Sequence, residues 1–151
     1  MQLNQTDCFR LLLKHVENVA SSLDIKYSSI DDVDSYVVYR AFNILKLDLL
    51  LIEHKNQYDP DRFFLFGNKA LHHYLFKKKN TSYLDAKQLS LHESMMLMIE
   101  DINSLTLSPE VIRYLRGQFN FNTPDIKSIE NDRRIIQDSE WNPDLAEKHL
   151  R

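Results

Sequence analysis

Glycine is almost absent from this sequence, which contains only Gly67 and Gly117 among its 151 residues. Tight β-hairpin turns favour Gly, often as Asn-Gly or Asp-Gly, and all-β folds need many such turns. The sequence contains neither of these dipeptides. Its glycine content therefore argues against an all-β fold and favours helices.

Cysteine and long apolar runs are scarce too. Cys8 is the single cysteine, so no disulfide can form within the chain, and we expect its thiol to be buried and inert. The most apolar stretch, residues 44–52, is interrupted by Lys46 and Asp48 and is far shorter than the ~20 residues of a membrane-spanning helix. The first residues do not have the pattern of a signal peptide. We therefore expect a cytoplasmic protein that does not enter a membrane.

Motifs for catalysis, cofactors and metals are also missing from the sequence. It has no glycine-rich phosphate loop, no Gly-x-Ser-x-Gly motif, no cysteine pair and no paired-acid motif. His72 and His73 are adjacent and point about 100° apart on a helix, so they do not form the i, i+4 metal pair of an HExxH site. The sequence thus gives no positive evidence of an enzyme, and we expect neither a metal nor a cofactor.

Composition and charge describe an ordinary globular chain. Hydrophobic residues make up 43% and charged residues 27%, and the formal net charge is −3. These values are normal for a folded protein, whereas a domain that binds nucleic acid is usually basic. We therefore expect one domain over residues 1–151, with a protein rather than a nucleic acid as its partner. The sequence leaves its oligomeric state open.

Proline contexts and apolar periodicity predict an all-α fold. Each of the four prolines follows Asp, Ser, Thr or Asn and precedes an acid, a pattern typical of the first turn of a helix. Together with the spacing of apolar residues, this predicts an irregular bundle of about seven to eight helices. The region 80–89 is ambiguous, and the polar part from Asn131 is expected to pack loosely. The predicted helices span 7–23, 34–55, 61–66, 68–78 and 91–104, and shorter ones start at Pro109, Pro124 and Pro143.

Asp48 interrupts an apolar row on the second predicted helix. The row consists of Val37, Ala41, Ile44, Asp48 and Leu51. A carboxylate that is buried in such a row must be paired, hydrogen-bonded or neutralised. An ion pair with an Arg of another helix, a position at the edge of the row and a role in a functional site all remain open.

Two surface features are candidate binding sites for a partner protein. The first is acidic and consists of Asp31, Asp32 and Asp34, which could contact a basic partner or simply cap the second helix. The second is Met96, which falls off the apolar stripe of its helix, and methionine side chains adapt well to binding surfaces.

Two further features point to nucleic acid. Basic residues follow one another among aromatic ones along 69–79, an arrangement that can bind single strands, although such lysines also suit the C-terminal end of a helix. In addition, Arg10 and His15 have the Arg-x4-His spacing, which resembles the motif of HEPN-type ribonucleases over six residues. This resemblance implies binding or cleavage of RNA, but positions five apart diverge by about 140° on an ideal helix. The basic candidates are Lys69, His72, Lys77, Lys78 and Lys79.

Our first hypothesis is a non-enzymatic module that sequesters or regulates a protein partner, as regulators, adaptors and toxin-neutralising immunity or antitoxin proteins do. It depends on the small all-α domain, the absence of catalytic motifs and the mildly acidic charge. The alternative is a HEPN-like helical protein that binds or cleaves RNA.

Overall fold

The fold is all-α, as predicted. A computed structural model describes residues 3–150, apart from the side chain of Ser128. Within these residues the chain forms nine α-helices, three short 3₁₀ turns and no β-strand, which confirms the predicted class. The helices are α1 (Gln5–Ser22), α2 (Ser35–Tyr58), α3 (Lys69–Lys78), α4 (Tyr83–Gln88), α5 (Leu91–Leu97), α6 (Ile99–Ser104), α7 (Pro109–Gln118), α8 (Asn131–Arg134) and α9 (Leu145–Leu150).

Helix α2 is the centre of the molecule, and α1, α3, α6 and α9 pack against it. Its apolar side chains lie on several faces, so much of its circumference is buried. Asp34 accepts a hydrogen bond from the Tyr36 N–H and caps the start of α2. Asn4 caps α1 in the same way, through the N–H groups of Thr6 and Asp7. None of the helices within residues 3–150 is both long and apolar enough to cross a membrane.

The prolines mark helix starts less reliably than their contexts predicted. Only Pro109 occupies the first turn of an α-helix, where the Ser108 hydroxyl accepts the Val111 N–H. The helices predicted at 61–66 and from Pro124 are wrong, since the first segment is a loop and the second leads only to a 3₁₀ turn. An Asp or Asn side chain can close a local turn as readily as it caps a helix.

The predicted helix 91–104 is divided at Met98, which is fully buried. Ser90 and Glu93 form the capping box that the sequence indicates at its start. Between α3 and α5, the ambiguous region contains the short helix α4, which the Ser82 hydroxyl caps.

Arg40 attaches the C-terminal segment to α2. Its guanidinium is buried and donates to both carboxylate oxygens of the buried Glu140, at 2.5 and 2.6 Å. It also donates to the carbonyl oxygens of Arg133 and Ile135, at 2.8 Å each, and contacts the Tyr36 hydroxyl. The polar segment that begins at Asn131 is thus held by one side chain that bonds to its backbone and to Glu140.

We expect Glu140→Gln to lower the free energy of unfolding by about 3 to 5 kcal/mol, because it leaves the Arg40 charge buried without a counter-ion. Urea unfolding measures this difference. The matched control is Glu17→Gln, which removes an exposed ion pair with Lys14 and should cost less than about 1 kcal/mol. Equal effects of the two substitutions would contradict the assignment of Arg40 and Glu140 as a structural pair.

Candidate functional site

A structured loop, which we call the phenylalanine loop, connects α2 to α3 over residues 59–68. Asp59 is buried, and its carboxylate accepts the N–H groups of Phe63, Phe64 and Leu65 at 2.8 to 2.9 Å. Burial raises the pKa of Asp59, but these three hydrogen bonds and the nearby Arg62 charge hold it below its usual value. The carboxylate therefore fixes the loop backbone without forming a helix.

The phenylalanine loop presents its aromatic rings to solvent. Phe63 and Phe64 are 72% and 73% exposed, and Phe66 is exposed as well. Leu65, between them, is buried in the core and anchors the loop. The rings of Phe63 and Phe64 lie 6.4 Å apart with their planes inclined by 57°. Adjacent exposed phenylalanines on a fixed backbone are a feature of binding surfaces.

Arg62 connects the phenylalanine loop to α9. It has a positive φ of 61° and donates to Glu147 at 2.8 Å, while Lys55 of α2 approaches the same carboxylate oxygen at 2.6 Å. Burial raises the pKa of Glu147, yet the hydrogen bonds from Lys55 and Arg62 hold it below its usual range. Three separate parts of the chain therefore meet at one carboxylate beside the loop.

Lysines border the exposed rings. The Lys69 ammonium lies 5.5 Å from the centre of the Phe66 ring, and Lys77 lies 5.6 Å from that of Tyr58. Lys78 is exposed as well, but the Tyr74 ring that it contacts is buried. Lys79 is half-buried instead and pairs with Asp101 at 2.9 Å. Of the basic residues singled out in the sequence, Lys69, Lys77 and Lys78 are thus available to a partner.

Asp48 and His15 form a buried polar contact. The Asp48 carboxylate lies 2.6 Å from Nε2 of His15 and accepts the Nε1–H of Trp141 at 2.8 Å. Its partner is therefore a histidine and not the arginine that we considered. His15 is fully buried whereas Arg10 is exposed, so the two residues of the HEPN-like spacing present no common face to solvent.

The acidic candidates lie in the connection between α1 and α2. Asp31 and Asp32 are exposed and accept hydrogen bonds from the hydroxyls of Ser28 and Ser29. Asp34 has the capping role described above. Met96, on α5, is 60% exposed. Among the described residues, no contact connects the acidic turn or Met96 to the phenylalanine loop. These candidates and the loop therefore do not form one continuous surface by contact.

No family model matches the chain, and no curated protein or solved structure is significantly similar to it. Its geometry therefore carries the functional inference alone. Among residues 3–150, no group of three or more His, Cys, Asp or Glu side chains could hold a metal ion. The phenylalanine loop is therefore the candidate binding surface, although the sequence predicted a helix over residues 61–66 of it. The three phenylalanines at 63, 64 and 66 are the only local trace of the loop, and Phe63 and Phe66 are also spaced as on one face of a helix.

A histidine pair lies behind the lysine-bordered rings. His54 is buried, and its Nε2 lies 2.8 Å from Nδ1 of His73. Burial, and then the charges of His73, Lys78 and Lys77, lowers the pKa of His54 to about 4. His54 is therefore neutral in the folded protein at pH 5, whereas an unfolded histidine is protonated below about pH 6.5.

Folded-state stability should consequently fall as the pH drops from 6.5 towards 4, because only the unfolded chain binds this proton. We expect His54 to contribute about 2 kcal/mol of this loss between pH 6.5 and 5. Urea unfolding at several pH values should show a shallower pH dependence in His54→Gln than in the unchanged protein. His149→Gln is the control, and a parallel curve for His54→Gln would refute the depressed pKa.

Removing the Asp59 carboxylate should loosen the phenylalanine loop. In Asp59→Ala, we expect hydrogen exchange at the amides of residues 63–65 to rise by about tenfold or more, because each loses its acceptor. Hydrogen exchange with mass spectrometry measures the change. Asp61→Ala is the matched control, since Asp61 is exposed in the same loop. Unchanged exchange in Asp59→Ala would show that the carboxylate does not hold the loop.

Proposed function

We propose that this chain is a non-enzymatic protein-binding module whose phenylalanine loop inserts into an apolar pocket of a partner protein. The observation that carries the proposal is the exposure of Phe63 and Phe64 on a backbone that Asp59 holds in place. Aromatic side chains that fill a pocket provide much of the binding energy at protein interfaces. A preorganised loop also loses little conformational entropy when it binds.

Exposed lysines on α3, the helix that follows the loop, indicate the kind of surface that the partner presents. Lys69, Lys77 and Lys78 are exposed, and opposite charges around an interface increase the association rate and select the partner. The partner pocket should therefore be apolar at its centre and acidic at its rim. A module of this kind acts by covering its partner, as regulators, adaptors and immunity or antitoxin proteins do.

Ring geometry favours a protein over a single-stranded nucleic acid. Bases stack on exposed aromatic faces along a positively charged groove. The Phe63 and Phe64 rings are inclined by 57° and therefore cannot both lie parallel to one stack of bases. Lys77 and Lys87 lie over the faces of Tyr58 and Tyr83. These tyrosine faces are therefore covered and not open to a base. Insertion of the phenylalanines into a protein pocket requires neither parallel rings nor uncovered tyrosine faces.

The double substitution Phe63→Ser and Phe64→Ser should weaken the partner complex by at least about 100-fold, because it removes both rings. Affinity purification of the tagged chain from its own host supplies the partner, and calorimetry with the purified partner measures the dissociation constant. The unfolding free energy should hardly change, since both side chains are exposed in the free protein.

Met96→Ser is the matched control, since it removes an exposed apolar side chain from α5, outside the loop. It should leave the dissociation constant unchanged. If Met96→Ser abolishes binding and the double substitution does not, the contact surface lies on α5. If the purified chain carries RNA that high salt removes, and no protein, the nucleic-acid alternative replaces this proposal.

A further inference from the structure

A cavity lies between the start of α3, the α4–α5 connection and the C-terminal segment. Its volume is about 250 Å³, below the range of about 300 to 1,000 Å³ for drug-sized ligands. It can therefore enclose one ring system of a small molecule. Its walls consist of Asn68, Leu71, His72, Lys87, Leu89, Leu91, Asp138, Trp141 and Pro143.

Trp141 gives this cavity an aromatic surface in a fixed orientation. Its Nε1–H is bonded to the buried carboxylate of Asp48, so the indole cannot rotate without breaking that bond. The ring is half-buried, and the buried Leu71 and Leu91 continue the apolar wall. A flat ligand would therefore meet a rigid aromatic and aliphatic surface, which favours stacking.

Polar and charged side chains line the same cavity. Lys87 is exposed, and His72 and Asn68 add hydrogen-bonding side chains to the lining. Asp138 contributes a carboxylate, whose Oδ1 accepts the Leu91 N–H at 2.8 Å. None of the described residues donates to its Oδ2, so that oxygen can accept a hydrogen bond from a ligand.

We propose that this cavity binds a planar heteroaromatic anion of the nucleoside monophosphate class. The base stacks on Trp141 and donates from its edge to Asp138, while the phosphate lies at the open side and pairs with Lys87. A carboxylate matches a base that carries N–H groups, and an ammonium matches a phosphate. This site shares only Asn68 with the phenylalanine loop and does not depend on the proposed protein partner.

Trp141 is the only tryptophan of the chain, so its fluorescence reports directly on the cavity. We expect adenosine monophosphate to change this fluorescence saturably and adenosine to bind about tenfold more weakly, because it lacks the charge-assisted contact with Lys87. Ribose 5-phosphate, which has no base, should produce no change. Calorimetry with the same three compounds gives an independent measure of binding.

Two substitutions test the phosphate contact and the base contact separately. Lys87→Ala should weaken adenosine monophosphate about tenfold but leave adenosine unchanged. Asp138→Asn retains an oxygen for the Leu91 N–H and should weaken both compounds. Lys26→Ala, at an exposed lysine outside the cavity walls, is the control. Absence of binding by both methods would overturn the proposal, as would a Lys87→Ala effect of equal size on adenosine. Binding of oligoadenylate without binding of the mononucleotide would also overturn it, and would indicate a single-stranded RNA instead.

Discussion

The burial of α2 on several faces is the constraint on which the rest of the structure depends. Three charged residues of α2 are removed from water at positions 40, 48 and 55, which fall within about 80° of one another around an ideal helix. Each finds a partner in the last part of the chain: Arg40 pairs with Glu140, Asp48 with Trp141, and Lys55 with Glu147. The C-terminal segment thus supplies a counter-ion or a hydrogen bond to each of these buried charges on the central helix.

Both proposed binding surfaces rest on that same segment. Glu147 pairs with Arg62 of the phenylalanine loop, while Trp141 and Asp138 both line the cavity. A buried charge without a partner is far more costly than an exposed one. The pairs along α2 therefore do more than stabilise the bundle, because they position the side chains that a ligand or a partner would contact.

The sequence predicted local features well and long-range ones poorly, for a physical reason. Apolar spacing and the scarcity of Gly indicated the helices, and the capping box at Ser90 was visible because its residues are three positions apart. Asp48 was recognisable as an anomaly in an apolar row, but its partners lie 33 and 93 residues away along the chain. No pattern along the chain encodes such a distance, so an arginine was as reasonable a partner as His15.

The phenylalanine loop could not be predicted for a related reason. Asp59 before a proline is a good start for a helix, and nothing local shows that its carboxylate will instead accept three N–H groups of a loop. Once the carboxylate does so, Leu65 points into the core and its neighbours Phe63, Phe64 and Phe66 remain in solvent. The exposed rings contribute no hydrophobic stabilisation to folding, since they leave water only when another molecule covers them. The hydrogen bonds of Asp59 hold that apolar surface in one shape, and a fixed shape favours recognition of a partner over loose collapse onto the domain itself.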